Sequence, residues 1–278
     1  MYKLNVLATN RCNAQFMPAQ KDSPGVCAFC FRQETDIDTN IETVVKVVKR
    51  ICELPFEEIV TITGGEPLLS RFIIPLISEL NRLGKRVSLH TNGILLEKYF
   101  ETLNCAVEFI SLPFDGHRRR LSNYYRGVGY YDLQQRNFKL LKENGIKIGL
   151  HTLLTPYNYN EIENMAFSLL RSDYYNSIWY WFIRIFKRMN LSLKIENDVY
   201  TLEESDYLSK VESVRNICHE INIYPTRHVK QRKPIFIDLV GNVYILNDHT
   251  SRNTLAGNIL NDDFDKIESF LISNGAEM

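Results

Sequence analysis

Short apolar runs alternate with longer amphipathic stretches over the first two thirds of the chain. The short runs are rich in β-branched residues and predict six strands, at 4–9, 58–63, 86–91, 107–112, 146–154 and 177–186. Between them, apolar positions recur at helical spacing in five stretches, at 41–54, 71–84, 95–103, 131–145 and 160–172. Asn40 stands where the first helix should begin, and Gly84 and Gly145 stand where helices should end.

Repeated βα units predict a parallel sheet, and six of them curl into an open, partial barrel. The pattern changes after about residue 190, where 201–221 predicts a helix, 234–246 a hairpin turning at Gly241-Asn242, and 262–272 a terminal helix. We therefore expect an α/β fold, with a partial (β/α)6 TIM-like barrel over residues 1–190. A small C-terminal α+β appendage should follow over 191–278.

Composition narrows the range of partners. The chain has 33 Lys and Arg against 33 Asp and Glu, so no basic field points to nucleic acid. No apolar run approaches the roughly 18 residues needed to cross a membrane, and the first residues lack signal-peptide architecture. Six cysteines in a chain of this length suggest metal or redox chemistry in the cytoplasm more than a disulfide scaffold. Cys52, Cys105 and Cys218 are scattered, and we expect them to be small buried hydrophobes.

Three cysteines cluster in the loop after the first strand. Cys12 is followed after fourteen residues by the pair Cys27 and Cys30. A zinc knuckle, a redox CxxC pair and an iron–sulfur site all begin in this way. Structural zinc normally takes four ligands, and the loop contains no histidine. Three cysteines instead suggest a four-iron cluster with one iron open to a substrate or cofactor.

Further motifs follow the next three strands: TGGEP at 63–67, HTNG at 90–93 and SLPFDG at 111–116. The chemistry of α/β barrels collects at these carboxyl ends of the strands. Glycines at 64 and 65 let a ligand approach the backbone, and the Glu66 carboxylate can pair with an ammonium group. Pro67 should stiffen the turn and start the next helix.

The three cysteines, the CAFC pair and TGGEP together resemble the radical S-adenosylmethionine (SAM) superfamily over roughly residues 3–190. TNG, SLPFDG and Arg126-Gly127 resemble the branch that contains molybdenum-cofactor and peptide-modifying members. The tail, in the stretch 241–260, resembles the end of a SPASM or twitch extension.

This resemblance implies a partial barrel in which a [4Fe–4S] cluster on Cys12, Cys27 and Cys30 binds SAM at its open iron. Reductive cleavage of SAM would yield a 5′-deoxyadenosyl radical that takes hydrogen from the substrate. An external flavodoxin or ferredoxin would supply electrons. The residues implied for the SAM pocket are Phe29, Gly64, Gly65, Glu66, Pro67, Thr91, Asn92, Ser111 and Arg126. Thr91 and Asn92 have the alternative role of capping the following helix.

Two features depart from the family pattern. The common cysteine spacing is CxxxCxxC, whereas this chain has C-x14-C-x2-C. Some carboxy-deazaguanine synthases have a similar long spacing, but the rest of this sequence does not follow their pattern. The tail lacks the cysteines that hold auxiliary clusters in SPASM relatives, so we expect one cluster only.

The substrate is less determined than the cofactors. The SPASM-like tail favours a peptide or a small polar natural-product precursor, while the cluster Arg118–Arg120 is either a solvated face or a contact for an anion such as a nucleotide. His151 and Arg184 lie on late strands, where a charge facing the barrel interior needs a partner or a substrate. A structural zinc protein and a non-catalytic SAM-binding barrel remain alternatives.

Overall fold

The computed structural model describes residues 2–14, 18, 27, 30, 37–186, 201–225, 233, 235–247 and 252–276. Ten strands form one sheet: β1 Tyr2–Leu7, β2 Phe56–Thr63, β3 Arg86–His90, β4 Phe109–Pro113, β5 Lys147–Leu154, β6 Ile178–Ile185, β7 Asn222–Pro225, β8 Ile235–Asp238, β9 Asn242–Asn247 and β10 Arg252–Asn258. Eight helices accompany them: α1 Ile41–Glu53, α2 Ile73–Arg82, α3 Leu96–Leu103, α4 Arg119–Arg126, α5 Tyr130–Glu143, α6 Ile162–Leu170, α7 Glu204–Ile217 and α8 Phe264–Ser273.

The strand order is β10-β9-β8-β1-β2-β3-β4-β5-β6-β7. Strands β1 to β7 are parallel neighbours in chain order, and β8 pairs in parallel with β1 on its other side. This is the strand order of an eight-stranded TIM barrel that is open between β7 and β8 in the described part of the chain. The predicted partial α/β barrel is confirmed.

The C-terminal strands extend the barrel sheet instead of forming a second one. β8 and β9 make the predicted antiparallel hairpin, and β10 adds to its far side. Gly241 takes the positive φ of +89° that the turn requires, while Asn242 already belongs to β9. Ile237, Val243 and Ile267 join the same buried cluster as the barrel core. The predicted division at residue 190 falls in 187–200, outside the described residues.

Side chains alternate between two faces of the sheet, and this alternation defines an interior. On β6, Trp181, Ile183 and Ile185 pack against the helices. Tyr180 and Arg184 lie on the opposite, half-buried face, which lines the barrel interior. Arg184 therefore faces the barrel interior.

Local capping follows the sequence signals. The Asn40 side chain accepts a hydrogen bond of 2.9 Å from the Thr43 amide and so begins α1. Helix α4 gave no apolar signal because part of its buried face is polar, with Ser122 and Asn123 beside Tyr125.

Of the three scattered cysteines, Cys218 is buried and Cys52 half-buried. The expectation was wrong for Cys105, which is exposed in the turn after α3 at a φ of +70°.

Candidate active site

The carboxyl ends of β1 to β4 bring the sequence motifs to one edge of the sheet. Cys12 follows β1, Glu66 follows β2, Asn92 follows β3, and Asp115 follows β4. Neighbouring parallel strands end side by side, so loops far apart in sequence meet here.

Glu66 is the most enclosed group at this edge, with no solvent exposure. Its Oε1 accepts hydrogen bonds from the Leu68 amide (3.1 Å) and the Thr91 hydroxyl (2.7 Å). Its Oε2 accepts one from the Asn92 amide at 2.8 Å. Burial raises the pKa of Glu66 to about 7, although the three hydrogen bonds act in the opposite direction. Thr91 and Asn92 therefore position this carboxylate.

Gly64 and Gly65 allow the start of the cysteine-bearing loop to pack closely against the TGGEP turn. A Cβ atom built on Gly64 would lie 2.2 Å from the Thr9 carbonyl oxygen, and one on Gly65 would lie 2.2 Å from that of Arg11. The Gly65 amide donates to the Thr9 carbonyl at 2.7 Å, and the Glu66 amide donates to the Arg11 carbonyl at 2.7 Å. The glycines thus admit a backbone segment, and this segment leads directly to Cys12.

Pro67 and Asn92 complete the turns beside Glu66. Pro67 is buried and begins the 3₁₀ turn Pro67–Leu69, whereas the next helix, α2, which it was expected to start, begins only at Ile73. The Asn92 side chain accepts from the Ile94 amide (2.9 Å) and closes the turn after β3; it does not cap α3, whose N-cap Leu95 has no side-chain cap. It also donates to Asn13 (2.9 Å) and approaches the Cys12 sulfur at 3.8 Å. One side chain therefore joins the β3 turn to the first cysteine.

The structure brings the three cysteines together. The Cys30 amide donates to the Cys27 carbonyl at 2.9 Å, and Cys27 takes a φ of +54°. Burial raises the pKa of the Cys27 thiol to about 11; Arg126 acts to lower it, and Cys30 and Cys12 raise it further. Among the described residues, no three His, Cys, Asp or Glu side chains form a set placed to hold a single metal ion.

Arg126 lies between the cysteines and a buried carboxylate that the sequence analysis did not single out. Its NH1 donates to the Cys27 sulfur at 3.5 Å, while its Nε and NH2 each lie 2.7 Å from Asp115 Oδ2. Asp115 Oδ1 accepts from the Leu153 amide at 2.8 Å. The position of Asp115 in SLPFDG, directly after β4, was the signal that could have identified it.

Of the two remaining residues implied for the SAM pocket, Phe29 and Ser111, the structure describes only Ser111. Phe29 lies outside the described residues, as does most of the loop between Cys12 and Cys27. Pro18, from that loop, accepts a hydrogen bond of 2.6 Å from the Val128 amide. Ser111 faces the barrel interior and is hydrogen-bonded to the Tyr180 hydroxyl.

The arginine cluster that begins α4 forms surface ion pairs. Arg118 pairs with Glu161, and Arg119 pairs with Asp132. The side chain of Arg118 is 60% exposed and that of Arg119 is 62% exposed. The solvated-face interpretation accounts for these two side chains.

Comparisons with known proteins agree with this geometry. The family model described as the Radical SAM superfamily matches residues 9–169. The S-adenosylmethionine-dependent nucleotide dehydratase of Flammeovirga pacifica is 26% identical over 259 residues, covering 85% of this chain and 81% of that protein. The GTP 3′,8-cyclase of Clostridium perfringens (strain SM101) is 25% identical over 192 residues, covering 66% of this chain and 54% of that protein. The chain therefore matches only about half the length of this cyclase.

Solved structures share the fold at lower identity. Streptococcus suis SuiB bound to S-adenosylmethionine has a TM-score of 0.66 at 16% identity, covering 94% of this chain and 64% of that chain. The structure of anSMEcpe with bound AdoMet has a TM-score of 0.70 at 14% identity, covering 98% of this chain and 83% of that chain. At this identity the likeness concerns the fold alone.

The fold and the site define an α/β-barrel protein whose cysteine-bearing loop lies at the carboxyl end of its parallel sheet. Because the family model spans more than half of the chain, the chain belongs to the radical SAM superfamily and is a radical SAM enzyme. Membership implies SAM and an iron–sulfur cluster as cofactors. Within the described residues, no helix is long and apolar enough to cross a membrane.

Proposed function

We propose that Cys12, Cys27 and Cys30 hold one [4Fe–4S] cluster and that the enzyme cleaves SAM reductively at its open iron. Bound there, the two cofactors would supply a 5′-deoxyadenosyl radical for abstraction of hydrogen from the substrate. The observation that carries the proposal is the backbone pairing of the TGGEP turn with residues 9–11. This pairing fixes the start of the cysteine loop beside the Glu66 carboxylate.

The donor chemistry fits both cofactors. Three thiolates would hold three of the four irons and leave the fourth open, which is the arrangement that SAM requires. A structural zinc site would need a fourth protein ligand beside these three cysteines.

Glu66 would receive the methionine ammonium group. Thr91 and the Asn92 amide hold both carboxylate oxygens in place, so the acceptor is oriented before the ligand arrives. A buried carboxylate gains most from an incoming cation, because burial disfavours its charge when it is alone. Arg126, paired with Asp115 and in contact with the Cys27 sulfur, would lie beside the cluster at the edge of the SAM pocket.

The substrate we propose is a peptide or a small polar natural-product precursor. The half-buried interior face carries hydroxyl and imidazole groups from Ser111, Tyr180, His90 and His151, which suits a polar substrate. An external flavodoxin or ferredoxin would supply the electron, and cytoplasmic localisation stays a prediction.

A nucleotide substrate is the second candidate. The relative named as a nucleotide dehydratase is matched over 81% of its own length, which is the observation in its favour. The surface ion pairs of Arg118 and Arg119 remove one argument for it, since these cations already face carboxylates.

A deuterium-transfer experiment tests the reaction and separates the substrates. Protein purified without oxygen and loaded with iron and sulfide is reduced with dithionite in the presence of SAM. Deuterium-labelled peptides, and separately deuterium-labelled nucleoside triphosphates, are then added. We expect 5′-deoxyadenosine that carries deuterium from the peptide arm, whereas deuterium from the nucleotide arm would favour the second candidate. Zinc in place of iron, with no 5′-deoxyadenosine, would overturn the proposal.

A further inference from the structure

A group of polar side chains lies in the barrel interior and includes Ser111, one of the residues implied for the SAM pocket. His90, Ser111, Gly149 and Tyr180 stand in register on β3, β4, β5 and β6, so they form one level of the interior. A Cβ atom on Gly149 would lie 2.5 Å from the Tyr180 ring and 2.6 Å from the Ser111 hydroxyl. The glycine therefore allows the Tyr180 ring to lie across β5 and reach Ser111.

Two histidines meet at the Tyr180 hydroxyl. His151 Nε2 lies 3.2 Å from this oxygen and His90 Nε2 lies 3.4 Å from it. The two imidazole rings are in edge contact, with centroids 4.5 Å apart. His151 and Phe182 pair across β5 and β6. They form the next level of the interior, two residues nearer the carboxyl ends of the strands.

Arg184 fixes the proton arrangement of this group. Its NH2 lies 3.1 Å from His151 Nδ1. A guanidinium only donates, so Nδ1 must accept, and neutral His151 carries its proton on Nε2. His151 then donates to the Tyr180 oxygen, and Tyr180 directs its own proton to Ser111 or His90. The order of donation runs from Arg184 through His151 to Tyr180.

The electrostatic field in this part of the interior is positive. Burial lowers the pKa of His90 to about 3, and the charges of Arg184 and Lys3 lower it further. Burial, His90, Arg184 and Arg126 lower the pKa of His151 well below its usual value. Arg184 itself has a lowered pKa, mainly from burial and with a contribution from Arg126, while Tyr180 and Asp115 act in the opposite direction. An anion placed among these groups would raise the pKa values of His90, His151 and Arg184 back towards their usual range.

We propose that Arg184, held in orientation by His151 and the Tyr180 hydroxyl behind it, forms an anion subsite that binds a carboxylate or phosphate group of the substrate. This inference rests on the proposed function, because Arg184 is paired with Leu153, whose amide donates to Asp115, and so lies beside the proposed SAM pocket. Arg184 is stacked over the Phe182 ring at 5.1 Å and held by His151, so its planar fork is oriented before an anion binds. The subsite would anchor the anionic end of the substrate at the carboxyl end of β6, beside the cofactor edge.

Calorimetric titration of the cluster-loaded, oxygen-free protein tests the subsite directly. The probes are inorganic phosphate and acetate, each titrated with and without saturating SAM. We expect saturable binding of at least one probe, retained when SAM is present, and at least tenfold weaker in Arg184→Gln. Preference for acetate would indicate a carboxylate of a peptide or natural product, and preference for phosphate a nucleotide.

Matched variants separate the subsite from general charge and folding effects. Arg118→Gln removes an exposed cation and should leave binding unchanged. If Arg184→Gln does not fold, Arg184→Lys keeps the charge without the fork and should weaken binding less than tenfold. Binding that is absent for both probes, unchanged in Arg184→Gln, or abolished by SAM overturns the subsite. Iron content and 5′-deoxyadenosine are measured on the same samples, so a failure of the proposed function is recognised separately.

Discussion

Arg126 and Asp115 form a buried ion pair, with the guanidinium Nε and NH2 each 2.7 Å from one carboxylate oxygen. The Asp115 side chain is 0% exposed and that of Arg126 15%. The third nitrogen of the guanidinium contacts the Cys27 sulfur. The pair thus joins the loop after β4 and the end of α4 to the cysteine site.

Asp115→Asn should destabilise the protein by about 3 to 5 kcal/mol, because it leaves the Arg126 charge buried without its counter-charge. Urea unfolding of the cluster-free protein measures the change. Asp132→Asn is the matched control, since the Arg119–Asp132 pair is exposed and should contribute about 0 to 1 kcal/mol. Equal effects of the two substitutions would contradict the importance of the buried pair.

Arg126→Gln should shift the reduction potential of the cluster to a more negative value. The guanidinium donates towards the Cys27 sulfur, and a nearby positive charge stabilises the more negative, reduced cluster. A redox titration followed by electron paramagnetic resonance measures the shift. Arg126→Lys retains the charge and should shift the potential less. A potential unchanged in Arg126→Gln would place the side chain away from the cluster.

Glu66→Gln should weaken SAM binding most at high pH. The pKa of Glu66 is raised to about 7, so the wild-type carboxylate is ionised above this pH and becomes protonated below it. The ratio of the Kd values of variant and wild type should therefore fall between pH 8 and pH 6. Calorimetry with SAM measures both constants, and a ratio independent of pH would remove Glu66 from the ammonium site.

The same shift affects stability in the absence of SAM. The folded protein keeps the Glu66 proton up to about pH 7, whereas the unfolded chain releases it near 4.5. The contribution of Glu66 to the free energy of unfolding therefore falls as pH rises through this window. Glu66→Gln should remove this part of the pH dependence, as judged by thermal unfolding of wild type and variant across the window.

Gly65→Ala should prevent cluster assembly while leaving most of the barrel folded. Its new Cβ would meet the Arg11 carbonyl at 2.2 Å and displace the segment that leads to Cys12. Iron content and circular dichroism measure the two effects. Gly84→Ala is the control: a Cβ there meets no atom within 4 Å, although its φ of +82° costs about 1 to 2 kcal/mol. Full iron content in Gly65→Ala would show that the loop does not need the close approach.

Much of the barrel could be predicted because apolar residues recur with different periods in its strands and in its helices. The polar buried face of α4, the short β7 and the polar β10 carry no such signal, so they were missed. The sequence also located Cys12 and Glu66 at strand ends, since loop position follows from strand order. It could not reveal that Gly65 packs against Arg11, that Asp115 holds Arg126, or that Arg184 faces inward. These relationships depend on contacts between segments distant in the chain.

The central claim is that the distant Cys12 shares one cluster with Cys27 and Cys30. Iron content and 5′-deoxyadenosine formed from SAM, measured for wild type, Cys12→Ala and the exposed-thiol control Cys105→Ala, test it most directly. We predict about four irons per chain and SAM cleavage in wild type and in Cys105→Ala. Cys12→Ala should lose both. A Cys12→Ala protein that keeps a full cluster and cleaves SAM at the wild-type rate would contradict the assignment.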